Sequence, residues 1–199
     1  MNLTSITDED QVIDKHFIDS LSCIRVMDIK KCKKVIDIGT GAGFPGIPLK
    51  IAYPDIHFTL LDSLNKRIKF LDELVCELDL YDIINVHGRA EDYARKKEHR
   101  EAYDLVVSRA VANLSTLTEY CIPFIKVGGY FISYKSKKGL EEIKNAESCL
   151  KILGCKIVET DTFQLTKEEN DRLLIKIKKE KSTPGKYPRK AGIPSREPL

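Results

Sequence analysis

Lys34-Val35-Ile36-Asp37-Ile38-Gly39-Thr40-Gly41-Ala42-Gly43-Phe44-Pro45-Gly46 is the stretch whose reading decides the fold. Val35, Ile36 and Ile38 form an apolar run too short for a helix and closed by glycines, which reads as a buried parallel strand. Gly39, Gly41 and Gly43 alternate with small residues before Pro45 and Gly46 open a helically periodic segment. A strand that runs through alternating glycines into a helix is a nucleotide-cofactor loop. The glycines permit a tight turn and close backbone approach, and the helix start offers free N–H groups.

Two cofactor classes fit this loop. Read as Gly41-x-Gly43-x-x-Gly46 it matches the dinucleotide fingerprint, a weak signal by itself. Read as Asp37-x-Gly39-x-Gly41-x-Gly43 it resembles motif I of the class I S-adenosylmethionine-dependent methyltransferases. Asp37 favours the second reading. A carboxylate beside a pyrophosphate is repelled, whereas one beside the cationic methionine end of S-adenosylmethionine is attracted. A second acid, Asp62, ends the next apolar strand, where it can accept hydrogen bonds from a ribose diol in either class.

Outward from the loop, strands and helices alternate. The periodicity predicts an amphipathic helix over 8–27 with a stripe of Val12, Ile13, Phe17, Leu21 and Ile24, a basic linker over 30–34, and a short helix over 47–53. Ser63 is the expected N-cap of a long helix striped by Ile68, Leu71, Leu74, Val75 and Leu78. A third strand over 83–86, a polar helix to about Arg100, a fourth strand over 103–108 and a helix over 114–125 follow. Then come a Gly128-Gly129 turn, a strand over 130–134, a helix over 140–153 stopped by Gly154, and strands over 156–165 and 173–178 that can pair as a hairpin. The expected fold is α/β, a Rossmann-like sheet of class I methyltransferase order 3-2-1-4-5-7-6 with one antiparallel strand. One domain over 1–180 and a basic, proline-rich tail over 181–199 are expected.

Seven blocks carry a resemblance to one family: N-L-T-S-I (2–6), H-F-I-D-S-L (16–21), D-I-G-T-G-A-G-F-P-G-I-P-L (37–49), L-L-D-S-L-N-K-R (60–67), G-R-A-E-D (88–92), V-S-R-A-V-A (107–112) and Y-P-R-K-A-G (187–192). In this order they resemble the bacterial small-subunit ribosomal RNA guanine-N7 methyltransferases, the glucose-inhibited division protein B family. The resemblance implies transfer of a methyl group from S-adenosylmethionine to N7 of a guanine in 16S ribosomal RNA. It carries cofactor contacts onto Gly39, Phe44, Ala90, Glu91 and Arg109, which join Gly41 and Asp62 from the loop reading. Members of the family usually carry a helical segment before N-L-T-S-I, so a truncated or short member is expected here. His16 and Asp19, one helical turn apart, either belong to the site or pair with each other. Arg109, at the carboxyl end of strand four, faces the crevice where open sheets bind ligands and can grip a carboxylate or phosphate with two N–H groups.

Positions 108–112 read S-R-A-V-A, without the acid or Asn followed by Pro-Pro of amino-group methyltransferases. Cys121 lies well inside a helix and reads as core rather than as a cytosine-C5 nucleophile. Guanine N7 has an in-plane lone pair and no proton to remove, so positioning supplies much of the catalysis and no general base is needed. Two rival functions share the fold: a methyltransferase of a protein or small molecule, and an RNA- or nucleotide-binding module without turnover.

The six cysteines include no C-x-x-C pair and the four histidines stand apart from them, so no metal site is expected. No apolar run approaches a membrane span and no signal peptide is evident, so a cytoplasmic protein without membrane partners, and a monomer, are expected. Net charge is +3, and the tail alone carries five basic residues against one acid. Its prolines predict an extended basic strand that contacts 16S RNA through Lys186, Tyr187, Arg189 and Lys190, with Tyr187 free to stack on a base and Lys135 assisting from the body.

Overall fold

In the computed structural model, residues 12–110, 112–165 and 171–199 are described. The N-L-T-S-I block, the predicted helix start at Asp8 and Val111 of the V-S-R-A-V-A block lie outside them. The apolar run at the head of the glycine loop becomes β1 (Lys34–Ile38), which is hydrogen-bonded on both sides. β2 (His57–Asp62) and β3 (Ile83–His87) extend the sheet one way. β4 (Tyr103–Ser108), β5 (Ile125–Ser136), β7 (Asp171–Lys179) and β6 (Cys155–Gln164) extend it the other. The order is 3-2-1-4-5-7-6, and β7 runs antiparallel to both β5 and β6, as the sequence predicts.

Parallel strands need crossover helices, and these cover both faces. Alternation along β1 sends Ile36 and Ile38 to a core shared with Leu117 and Cys121 of α4 (Leu114–Cys121) and with Ala146 and Leu150 of α5 (Gly139–Leu153). Val35 points the other way, onto Cys23, Leu49 and Phe58. Leu60 packs with Ile47 of α1 (Gly46–Ala52) and with Ile68 and Leu71 of α2 (Asn65–Glu77). α5 ends where Gly154 adopts φ +75° and its N–H closes on Leu150 O, a left-handed C-terminal cap. Among the described residues no helix is long and apolar enough to cross a membrane.

Several expectations are corrected. Over 12–27 a continuous amphipathic helix is replaced by a π-wound turn (Ile13–Ile18), one α turn (Asp19–Leu21) and a 3-10 turn (Ser22–Arg25). The changes of winding rotate the predicted stripe outward. Ile13, Phe17 and Ile24 are exposed, while Asp19, Ser20, Ser22 and Cys23 are buried. Polar bonds set this register, since Arg109 and Arg172 both bond the Asp19 carboxylate and Tyr134 donates to Ser20 O at 2.7 Å.

Ser63 does not cap α2; Asp62 Oδ1 accepts from Leu64 N at 2.9 Å instead. The polar helix after β3 shrinks to α3 (Ala90–Tyr93), because the following residues have no apolar stripe and Arg95 and Arg100 turn to bind carbonyls elsewhere. β5 runs straight through Gly128-Gly129, where a positive φ at Gly128 and a register shift against β4 take the place of a turn.

The largest correction concerns the tail. Residues 183–199 fold back along the body and finish in the turn α6 (Ile193–Arg196). Arg100 donates to Tyr187 O and Thr183 O, both at 2.9 Å, and Arg95 donates to Pro188 O. Thr116 Oγ1 donates to Pro194 O at 3.0 Å. Prolines stop a long helix here but do not hold the chain away, because the carbonyls they leave unpaired by a ladder are taken by arginines and Thr116.

Gly43 is the tightest point of the loop. Its φ is +94°, and a Cβ there would stand 2.6 Å from Ile47 Cγ1. Gly43→Ala is expected to lower unfolding stability by about 1–3 kcal/mol through backbone strain and overpacking. Urea unfolding measures this, and a midpoint equal to the parent's contradicts the packing described.

Candidate functional site

The glycine loop is built by two buried carboxylates. Asp37, the last residue but one of β1, is fully buried and its Oδ2 accepts from Gly46 N at 2.9 Å, which ties strand to helix across the loop. Burial pushes its pKa up to about 7, against the opposing pull of Thr40, the Gly46 N–H and the charge of Arg109. Asp62, at the end of β2 and 3% exposed, accepts from Gly41 N at 2.9 Å, from Leu64 N at 2.9 Å and from Arg67 Nη1 at 3.1 Å. A carboxylate has about four lone-pair directions, so Asp62 keeps one for a further donor.

Between the glycine loop with Asp62 and the next two loops lies an open cleft of about 470 Å³. One wall is Gly39, Thr40 and Gly41 with Phe44, and the floor is Leu61 and Asp62. Gly88, Arg89, Ala90 and Glu91 form a second wall, and Arg109, Ala110 and Ala112 close the end of β4. All seven residues carried by the sequence, Gly39, Gly41, Phe44, Asp62, Ala90, Glu91 and Arg109, line this one cleft. Asp37 does not line it. It stands behind the loop, shaping the backbone through Gly46 and reaching the cleft by its field, since its ionisation senses both Arg109 and Asp62.

Arg109 is committed to the protein. Nη1 donates to Asp19 Oδ2 at 2.9 Å and to Lys15 O at 3.1 Å, and Nη2 meets His16 Nδ1 at 3.3 Å. Arg172 Nε bonds the other Asp19 oxygen at 3.0 Å. His16 and Asp19 therefore meet through Arg109 rather than pairing with each other. Phe44 is held the same way, stacked on His16 at 4.8 Å, met edge-on by Phe17 at 5.5 Å and approached by the Arg109 guanidinium at 5.2 Å. The leading segment is thus latched to the cleft by one arginine and one aromatic ring.

Glu91 is 5% exposed, and its Oε1 accepts from Gly192 N of the folded-back C-terminal segment at 2.9 Å. Beside it Tyr120 of α4 also lines the cleft. The neighbouring Glu119, fully buried, accepts from Arg189 N at 2.7 Å and from Arg189 Nε and Nη2 at 2.6 to 3.1 Å.

These contacts correct the RNA readings. Arg189 is spent on Glu119, and Tyr187 is 6% exposed with its ring in the core, so neither faces a base or phosphate. The Lys135 side chain is 7% exposed and bound to Glu142 and Ala112 O. Lys186 and Lys190 remain exposed. Cys121 is fully buried, and burial raises its thiol well above the ordinary range, so it presents no nucleophile. Thr40, Arg67, Arg89 and Tyr120 were not singled out from the sequence. Arg67 had a signal, its place one turn into the helix after Asp62, and Tyr120 had none.

The donor set fits an adenosyl cofactor with a cationic amino-acid end. The loop glycines expose backbone, with Gly39 at φ +72° and Gly41 at φ +63°; Asp62 keeps an acceptor direction; and acids outnumber unpaired cations around the loop.

Residues 1–174 match the family model described as rRNA small subunit methyltransferase G. "Ribosomal RNA small subunit methyltransferase G" of Alkaliphilus oremlandii (strain OhILAs) is 55% identical over 199 residues, covering 100% of this chain and 83% of that protein. The protein of the same name from Lachnoclostridium phytofermentans is also 55% identical over 199 residues, covering 100% of this chain and 82% of its own length. Among solved structures, M. jannaschii TYW2 in complex with AdoMet superposes with a TM-score of 0.63 at 15% identity, covering 90% of this chain and 81% of that one. The YcgJ protein of a Bacillus gives 0.63 at 12% identity, covering 84% and 100%. At such identities the structures speak for the fold alone.

His16 sits against Arg109, and burial first, then the Arg109 charge, lowers its pKa below the ordinary 6.5. The neutral ring is the folded form, so the unfolded chain binds more protons between the depressed value and 6.5, and stability falls as pH drops through that window. His99 is lowered in the same sense. His16→Gln is therefore expected to shallow the fall of unfolding free energy as pH drops below 6.5, without abolishing it. An unchanged slope in urea titrations contradicts the neutral, latched ring.

Proposed function

The chain belongs to the rRNA small subunit methyltransferase G family, and on that premise we propose how its cleft works: S-adenosylmethionine lies along the glycine loop and a guanine of 16S ribosomal RNA presents N7 at the end of β4. The chain is an S-adenosylmethionine-dependent rRNA methyltransferase. The observation that carries the placement is the glycine loop held open between Asp37 and Asp62, with every carried residue on one cleft.

When bound, the cofactor supplies an already activated methyl group. Gly39 and Gly41 admit the ligand close to backbone, and Asp62 receives a ribose hydroxyl on its remaining lone-pair direction. Glu91 and Ala90 bracket the ring system from the opposite wall. Asp37 contributes a buried negative charge behind the loop that favours a cationic ligand over a neutral one. Arg109 acts as a positioning residue, fixing the leading segment over the cleft through Asp19.

Among the described residues, the end of β4 itself places no carboxylate on the cleft. Ser108 is fully buried and donates to Ile38 O at 2.7 Å, and the next positions on the cleft are Arg109, Ala110 and Ala112. Such a surface suits a nucleophile without a proton to lose, as guanine N7 is, and rate enhancement then comes from alignment. Exposed Lys186 and Lys190 supply backbone contacts to the RNA, a weaker electrostatic footprint than a free basic tail. Acting on the small subunit, the chain would work in the cytoplasm.

Incubation with methyl-labelled S-adenosylmethionine and small subunits from cells lacking the modification tests the reading. Label should enter 16S RNA and render one guanine sensitive to reduction followed by aniline scission. Label on protein, or on an amino nitrogen, contradicts it. A sharper prediction concerns Asp37. Asp37→Asn keeps an acceptor for Gly46 N but removes the charge. At pH 8, calorimetry should show S-adenosylmethionine losing about 1 kcal/mol, roughly fivefold, more affinity than its uncharged thioether product. Equal losses for the two ligands contradict an electrostatic role.

A further inference from the structure

Apart from the RNA contacts of Lys186 and Lys190, the C-terminal segment has no part in the cofactor site described above, and it lies beyond the 1–174 matched by the family model, yet its bonds converge on one wall of the cleft. Glu91 lines the cleft, and its Oε1 takes the Gly192 N–H; its Oε2 accepts no hydrogen bond among the described residues. Tyr120 lines the same wall, one residue from Glu119, whose buried carboxylate takes donors only from Arg189 among the described residues. Thr116, one turn earlier on α4, donates to Pro194 O. The far end of the segment is anchored outside the cleft, by Arg100 on Thr183 O and Tyr187 O and by the burial of the Tyr187 ring.

We propose that residues 183–199 form a strap that completes the cofactor site, positioning Glu91 through Gly192 and α4 through the Arg189–Glu119 pair, so that seating of the strap and binding of S-adenosylmethionine or its product strengthen each other. This rests on the cofactor reading of the cleft. The physical basis is pre-organisation. A buried carboxylate that loses its sole cationic partner must find water, and α4 must shift to admit it, carrying Tyr120 away from the cleft. A Glu91 released from Gly192 regains rotamer freedom that a ligand would have to remove again. Coupling of this kind is reciprocal: whatever factor the seated strap contributes to cofactor affinity, the cofactor returns to strap seating.

The reciprocity supplies a test on the unaltered protein. Trypsin sites at Lys186, Lys190 and Arg196 are exposed side chains on a bonded backbone, so scission requires the strap to lift. With S-adenosylhomocysteine, the demethylated product, at about a hundred times its Kd, scission within 186–196 should slow by the same factor the strap contributes to affinity, at least about fivefold. Scission in the exposed turn at Lys137 and Lys138 should change little. In parallel, Arg189→Ala, and separately a chain ending at Ser182, should bind S-adenosylhomocysteine at least fivefold more weakly by calorimetry, and Arg189→Lys should recover part of that loss. Equal strap scission with and without the ligand overturns the inference, as does a folded Arg189→Ala protein with the parent's Kd. Should that variant fail to fold, the proteolysis of the parent decides. A parent protein that binds no S-adenosylhomocysteine overturns the cofactor reading itself, and the strap inference with it.

Discussion

Two buried carboxylates, each accepting a backbone N–H of one loop, are what the rest of this molecule depends on. Asp37 holds Gly46 and Asp62 holds Gly41, so the turn between β1 and α1 is pinned at both ends before any ligand arrives. Burying a charge without partners is costly, and each acid meets the cost differently. Asp62 accepts three donors. Asp37 has fewer, and its pKa rises to about 7, the mark of a site with a charge still to be compensated. A cationic ligand at the loop would compensate it. Structural need and ligand preference thus reside in the same carboxylate.

Around this centre, distant parts of the chain are tied in by arginines. Arg109 and Arg172 clamp Asp19, which brings the leading segment over the cleft, and Arg189 clamps Glu119, which brings the C-terminal segment under it. Asp19 and Glu119 are both nearly inaccessible. Breaking pairs of that kind leaves an uncompensated buried charge, at about 3–5 kcal/mol, far more than a surface ion pair contributes. The cleft is therefore assembled from three regions far apart in sequence and fixed by a few high-stakes polar contacts rather than by an enclosed apolar pocket.

Strand order, the glycine loop and Asp62 were legible because they rest on local signals: β-branched runs, alternating glycines, an acid at a strand end; Phe44, Ala90, Glu91 and Arg109 came only with the family resemblance. What stayed illegible was which charges would be withdrawn from solvent. Arg189, Lys135 and Tyr187 read as a basic aromatic surface because Glu119, Ala112 O and the core, which take them up, lie tens of residues away, and the Glu142 that pairs with Lys135 sits on the next helix. Lys50 gave no signal either, though it is buried with its Nζ on Pro54 O and Ile56 O at 2.6 and 2.7 Å. The outward rotation of Ile13, Phe17 and Ile24 has the same origin: a long-range bond to Asp19 outweighs a local apolar stripe. Fold followed from periodicity, whereas the use of individual charges followed from tertiary pairing.

The loop is shaped by the protein and not by the ligand. Amide hydrogen exchange of Gly41 and Gly46 in the ligand-free protein tests it directly, since these N–H groups are the ones Asp62 and Asp37 hold. Both should exchange at least about a hundredfold more slowly than in an unstructured chain, with little further slowing when S-adenosylhomocysteine is added. Exchange at unstructured rates that slows only on ligand addition would contradict the account.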